Sequence, residues 1–196
     1  MKFTIIFNAN AAGGKKLRLI NRVISLLRSS HEVELFKTVS ETDAKKVFDD
    51  LSKRDFDRLV IAGGDGSICF AINEMIEKGL EKKLIAYIPA GTANILQIET
   101  GIKKKAEEIY KVLISNHSKK ISLAKINDKY FFLMAGVGFD SKIVKSINAN
   151  VKKYLGKIIF AYKGFMHFLF LKNEKMRVEV NNEIFGFSQS SNGGRK

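Results

Sequence analysis

A layered α/β domain over residues 1–120, leading into the start of a second, β-rich domain over residues 121–196, is the fold class this sequence predicts. Three observations carry that expectation. Short apolar runs alternate with segments whose apolar residues recur at helical spacing. Turns rich in glycine and asparagine follow the apolar runs directly, the order of a parallel sheet wound with helices. After residue 119 the alternation gives way to paired strand signals around asparagine turns.

The elements follow in order. Phe3-Thr4-Ile5-Ile6-Phe7 reads as a buried strand, closed by the Asn/Ala/Gly run at 8–14. Leu17, Ile20, Val23, Ile24 and Leu27 then share one helical face. Residues 33–36 make a second strand, and Ser40-Glu41-Thr42-Asp43 reads as a helix start ahead of residues 44–51. Leu59-Val60-Ile61-Ala62 is wholly apolar, the pattern of a strand buried on both faces. Residues 84–88 form another, stopped by Pro89. Further on, 121–126 with 130–135, and 176–180 with 183–187, read as antiparallel hairpins. Asn127-Asp128 and Asn181-Asn182 supply their turns, since asparagine tolerates positive φ. Helices are expected around 140–153 and 157–172. The second hairpin is expected to leave an unpaired edge that favours self-association as a homodimer.

Composition narrows the function classes. The chain is 45% hydrophobic, enough for a sizeable core, and a domain of this size buries on the order of 70% of its unfolded surface. A single cysteine, Cys69, excludes an intrachain disulfide and a cysteine metal cluster. The first residues lack the pattern of a secretion leader, so the expected location is cytoplasmic, peripheral at the inner membrane face. Residues 154–171 are apolar but carry Lys157, Lys163 and His167, which reads as an amphipathic helix rather than a membrane span. Of the +14 net charge, residues 103–196 hold +12, with 19 Lys/Arg against 7 Asp/Glu. Such a field attracts an anionic membrane or a phosphorylated ligand. No basic-aromatic interleaving of a nucleic-acid module accompanies it, which argues against a nucleic-acid partner.

Chemistry concentrates in two loops. Gly63-Gly64-Asp65-Gly66-Ser67 stands between a strand and a helix start. Its glycines remove the Cβ atoms that would hold a phosphate off the backbone, and the helix behind offers unpaired N–H groups to an anion. Asp65 would repel phosphate directly and is expected to act through Mg²⁺, the nucleotide sugar or a nearby backbone. Ser67 supplies a hydroxyl at the helix start. Pro89-Ala90-Gly91-Thr92-Ala93-Asn94 repeats the arrangement one strand later, so both loops fall on one edge of the sheet. Asn8 opens a third loop, in which Lys15 or Lys16 is within reach of a phosphate. Neither a G-x-x-x-x-G-K-[ST] nor a G-x-G-x-x-G pattern is present, which excludes a P-loop enzyme and a Rossmann dehydrogenase.

On these motifs the chain resembles the diacylglycerol kinase catalytic-domain family, which includes bacterial lipid kinases and sphingosine kinases. The matches are the Asn8–Lys15 loop, Thr38 with Thr42-Asp43-Ala44, the Gly63–Ser67 loop with Asn73-Glu74, Pro89–Asn94, and Gly136-Val137-Gly138-Phe139-Asp140. The resemblance implies an ATP- and Mg²⁺-dependent lipid kinase that phosphorylates a diacylglycerol-like hydroxyl at an anionic membrane surface. It implies that Asn8, Thr38, Gly63, Gly64, Asp65, Gly66, Ser67, Ile68, Cys69 and Thr92 line the nucleotide. Ser67 stands where the family usually has Thr, and Ser122 where it often has Asp. The family's second domain continues for about another hundred residues, carrying the catalytic base and a structural Mg²⁺ site. The base is therefore expected beyond Lys196, Asp65 is the candidate catalytic carboxylate within the chain, and the 196 residues alone are expected to be a poor kinase. The alternatives are an NAD kinase-like enzyme, which shares a Gly-Gly-Asp-Gly loop, and a non-catalytic nucleotide-binding fragment. Gly91-Thr92-Ala93-Asn94 followed by Ile95-Leu96 resembles the lipid kinases.

Overall fold

Strand β3, Arg58–Gly63, is buried at all six positions, and its apolar run explains the rest of the sheet. A strand without a polar face needs a layer on each side. The computed structural model of the chain, which describes residues 1–9, 15–134, 175–180 and 183–188, supplies both. The elements run β1 Lys2–Asn8, α1 Lys15–Arg28, β2 Glu32–Thr38, α2 Glu41–Leu51, β3, α3 Asp65–Glu77, β4 Leu84–Pro89, α4 Ile95–Thr100 and α5 Ala106–Ile114. The strands form one sheet in the order β2-β1-β3-β4, every pair parallel.

Alternation along the strands assigns the faces. Phe3, Ile5 and Phe7 of β1, Val60 and Ala62 of β3 and Ile88 of β4 pack with Ile20, Val23 and Leu27 of α1 and with Ile109 and Leu113 of α5. Ile6, Leu59, Ile61 and Tyr87 face the other way, onto Phe48 and Leu51 of α2 and Ile68, Ile72 and Met75 of α3. A one-residue slip in β1 would exchange these sets, so the register follows from the core. The layered α/β class is thus what the residues build.

Local chemistry fixes the ends of the elements. Ser40 is the N-cap of α2; its side chain accepts from the Asp43 N–H at 3.0 Å, and the Asp43 carboxylate accepts from the Val39 N–H at 3.3 Å. This reciprocal capping is the helix start that the Ser-Glu-Thr-Asp run predicts. At the opposite end of the sheet, buried Arg58 donates through Nη1 to the Leu113 carbonyl and through Nη2 to the Ser115 carbonyl at 3.0 Å. A guanidinium there meets the negative end of α5.

Two further strands, β5 Ala124–Ile126 and β6 Lys129–Phe131, form an antiparallel pair turning through Asn127 at φ 51°. The chain divides into two compact units, Met1–Met134 and Ala135–Lys196. The sequence-based boundary near 120 therefore falls inside the first unit. The first hairpin is bonded to the α/β unit by a side-chain bridge: Asn73 of α3 accepts from the Tyr130 N–H at 2.9 Å and donates to the Tyr130 carbonyl at 2.9 Å. In the second unit the described strands, β7 Lys175–Val180 and β8 Glu183–Ser188, pair antiparallel with each other, as their alternation predicts. The expected helices at 140–153 and 157–172, the Gly136–Asp140 motif and the Asn181-Asn182 turn lie outside the described residues. Among the described residues no helix is long and apolar enough to cross a membrane.

Candidate functional site

The sheet places the loops before any side chain is considered. Its chain path runs from β1 outward to β2 and then returns to the other side of β1 as β3, so the connections diverge between β1 and β3. In open parallel sheets the crevice at that divergence, at the carboxyl ends of the strands, is where ligands bind. Asn8 ends β1 and Gly63 ends β3; Asn8 Nδ2 donates to Ser67 Oγ at 3.2 Å across the divergence. Gly63 is level with Pro89 at the ends of β3 and β4, so the 63–67 and 89–94 loops leave the sheet side by side.

The two loops touch through their backbones. The Ala90 N–H donates to the Gly63 carbonyl at 2.7 Å. A Cβ on Gly91 would lie 2.5 Å from Gly64 Cα, and one on Gly64 would lie 3.0 Å from Gly91 Cα. A Cβ at 91 would collide with the facing backbone, and one at 64 would press tightly on it, so the approach requires glycine at 91 and favours it at 64. A Cβ on Gly63 would strike Ser67 Cβ and Oγ at 2.6 Å, whereas a Cβ on Gly66 would meet nothing within 4 Å. Gly66 is exposed in the first turn of α3, where backbone N–H groups lack intrahelical partners. The open side of the loop is therefore its Gly66 side.

Asp65 points elsewhere. Its Oδ2 accepts from the Ile95 N–H at 3.0 Å and its Oδ1 from the Leu96 N–H at 3.1 Å. Of the partners expected for this carboxylate, Mg²⁺, the nucleotide sugar or a nearby backbone, both oxygens engage the last, the backbone at the start of α4. Asn94, buried and left-handed at φ 51°, accepts through Oδ1 from the Gly91 N–H at 2.8 Å and donates through Nδ2 to the Gly91 carbonyl at 3.0 Å. Tyr87 of β4 is buried beside this junction, and burial, with the Asp65 charge second, holds its phenol well above the usual range.

The remaining sequence candidates divide by burial. Thr38 is buried at the end of β2, its hydroxyl directed at the Phe7 carbonyl at 3.5 Å. Ile68 is a core residue of the α3 face. Cys69 is half-buried; its Sγ points to the Tyr130 carbonyl at 3.5 Å, and burial raises its thiol. Ser67 and Thr92 are half-buried on the two loops. Lys16, in the first turn of α1, is brought close enough to Lys104 that burial and this neighbour lower its ammonium. Residues 10–14 of the first loop lie outside the described residues. Sequence reasoning missed the Gly64–Gly91 contact and the Asn94 clamp, and it allowed Asp65 a backbone partner without identifying α4. The signal available for α4 was the helix start after Asn94; that Asn94 is committed to Gly91 instead of the cap shows only in the structure.

The chain matches the sequence model of the diacylglycerol kinase catalytic domain over residues 2–126. It is 28% identical over 179 residues to a diacylglycerol kinase of Staphylococcus haemolyticus (strain JCSC1435), covering 90% of this chain and 54% of that protein. A diacylglycerol kinase of Staphylococcus carnosus (strain TM300) is 27% identical over 183 residues, covering 90% of this chain and 58% of its own length. The chain spans little more than half the length of these curated relatives. A solved diacylglycerol kinase structure from Bacillus anthracis str. Sterne superposes with a TM-score of 0.67 at 22% identity, over 95% of this chain and 61% of that one. That likeness is one of fold.

Proposed function

The chain belongs to the diacylglycerol kinase catalytic domain family, and we propose that it binds ATP at the paired glycine loops as the nucleotide-binding part of a lipid kinase. The observation that carries the reading is the backbone contact of Gly64 with Gly91, which aligns two strand-to-helix loops while Gly66 faces open space. Phosphoryl transfer asks for positioning and for donors to phosphate oxygens more than for covalent chemistry by the protein. The first turn of α3 offers such donors, with the Ser67 hydroxyl beside them and held by Asn8. Thr92, on the adjoining loop, lies on the same edge. When bound, ATP supplies the γ-phosphoryl group for a lipid hydroxyl. Among the described residues no group of three or more His, Cys, Asp or Glu is placed to hold a metal ion. Mg²⁺ accompanying the nucleotide would be held mainly by phosphate oxygens and water, which asks for no such group. The substrate side is read from the family and from charge: +12 over residues 103–196 suits an anionic lipid surface.

Titration of the 196-residue protein with a fluorescent ATP analogue tests the nucleotide site, with NAD as competitor to separate an NAD kinase-like pocket. Saturable binding displaced by ATP and not by NAD is expected; no saturable binding refutes the reading. Phosphate transfer from labelled ATP to diacylglycerol in mixed micelles then tests the lipid assignment.

A further inference from the structure

We propose that Asp65 is a positioning residue: it caps α4 from a neighbouring element and so holds the 89–94 loop in register with the 63–67 loop. This rests on the reading of both loops as the nucleotide site. A helix start leaves its first N–H groups without intrahelical partners, and a side chain at the N-cap position normally accepts from them. In α4 the N-cap is Asn94, whose amide makes no cap hydrogen bond. It cannot serve, because both its oxygen and its nitrogen are spent on the Gly91 peptide. The helix bonds that do form run from the Gln97 and Ile98 N–H groups to the Asn94 carbonyl, which leaves Ile95 and Leu96 as the orphan donors. Asp65, thirty residues away in sequence, takes both, one with each oxygen.

α4 has little else to hold it. It is six residues long and none of them is buried. Its anchoring includes a half-buried Leu96 on the core, the Gln97 side chain donating to the Ile102 carbonyl at 2.7 Å, the Asp65 carboxylate and the Gly64–Gly91 approach. The Asp65 bonds therefore link the phosphate-facing turn directly to the helix behind Thr92. Both oxygens accept a bond from the start of α4, so the carboxylate's position is fixed by that helix.

The test compares Asp65→Ala and Asp65→Asn in the 196-residue protein, first without nucleotide. Amide exchange of Ile95 and Leu96 should accelerate about tenfold in Asp65→Ala, the usual loss of a helix cap. Amides of β1 and β3 should keep their protection. Asp65→Asn, which retains one carbonyl acceptor, should fall between the two. Affinity for the fluorescent ATP analogue should follow the same order, lowered about tenfold in Asp65→Ala and partly rescued in Asp65→Asn, in the presence or absence of Mg²⁺. Unchanged exchange at Ile95 and Leu96 would overturn the proposal, as would an Asp65→Asn variant as defective as Asp65→Ala only when Mg²⁺ is present. A wild-type protein that binds no nucleotide would refute the site reading instead, leaving the exchange result to decide the cap. If Asp65→Ala fails to fold, Asp65→Asn against wild type carries both comparisons.

Discussion

Gly66→Ala separates what the protein needs from what a ligand needs. A Cβ at this position meets nothing within 4 Å, and the residue is exposed in the first turn of α3. Folding therefore gives no steric reason for glycine here. Alanine restricts the unfolded chain and favours helix, so the substitution should stabilise by about 0.4–1 kcal/mol. For a unit of this size that corresponds to a rise in melting temperature of about 1–4 °C. A phosphate approaching the same backbone would meet the new methyl group at contact distance. Losing one charge-assisted hydrogen bond costs about 1.5–3 kcal/mol, which is roughly tenfold to a hundredfold in affinity. Thermal unfolding and titration with the fluorescent ATP analogue, on the same preparation, read the two effects with opposite signs. Wild-type affinity with a raised melting temperature would refute close approach at Gly66, and a lowered melting temperature would refute the assignment of free space around it. Gly91→Ala is the contrasting arm: its Cβ would lie 2.5 Å from Gly64 Cα, so stability and affinity should fall together.

Three further outcomes follow from the packing. Arg58→Leu leaves the Leu113 and Ser115 carbonyls without their donor, and urea unfolding should show a loss of about 2–4 kcal/mol. Glu74 is buried in α3 and its carboxyl is raised by that burial, with Lys45 opposing. Its contribution is therefore fully present below the unfolded value near 4.5 and is lost as pH rises through the raised folded value. Glu74→Gln should accordingly be more stable than wild type at pH 7, with the gain shrinking below that value in melts across pH. Asn73→Ala removes both bonds to the Tyr130 backbone; exchange at Tyr130 should accelerate about tenfold while β3 amides stay protected.

How much of this was legible in the sequence depended on the range of the interactions. The four parallel strands were readable because each is a short apolar run, β3 most plainly, and Ser40 with Asp43 announced α2 through contacts three residues apart. The two loops could be placed on one edge because each follows a strand. Their mutual contact could not, since Gly64 and Gly91 are far apart in sequence and glycine has no side chain to suggest a partner. That Asp65 could bond a nearby backbone was legible, but which backbone was not, for a related reason. α4 buries no residue and so has no periodicity, and the residue that should cap it is diverted to Gly91. The boundary near 120 followed a change of pattern, whereas the Asn73 bridge to Tyr130 joins the first hairpin to the α/β unit through side-chain bonds that no pattern records.

A carboxylate within a loop proposed to receive phosphate poses an electrostatic problem, and the direction in which it points resolves it. Two like charges about 4 Å apart repel by roughly 4 kcal/mol at the effective dielectric of a protein surface, enough to cancel what a phosphate gains from one or two backbone donors. Asp65 starts α3, so its charge sits at the positive end of that helix whichever way the side chain turns. The carboxylate turns to the start of α4, where two N–H groups and a second positive helix end meet it. Its negative charge is thus shared between two helix starts, while the exposed Gly66 has open space beside it. The same geometry explains why the second loop must be close. Without the Gly64–Gly91 approach the α4 donors would lie out of reach, and the carboxylate would have only solvent or the incoming phosphate to face. Close packing of the glycines and the fitness of the loop for an anion are therefore one requirement.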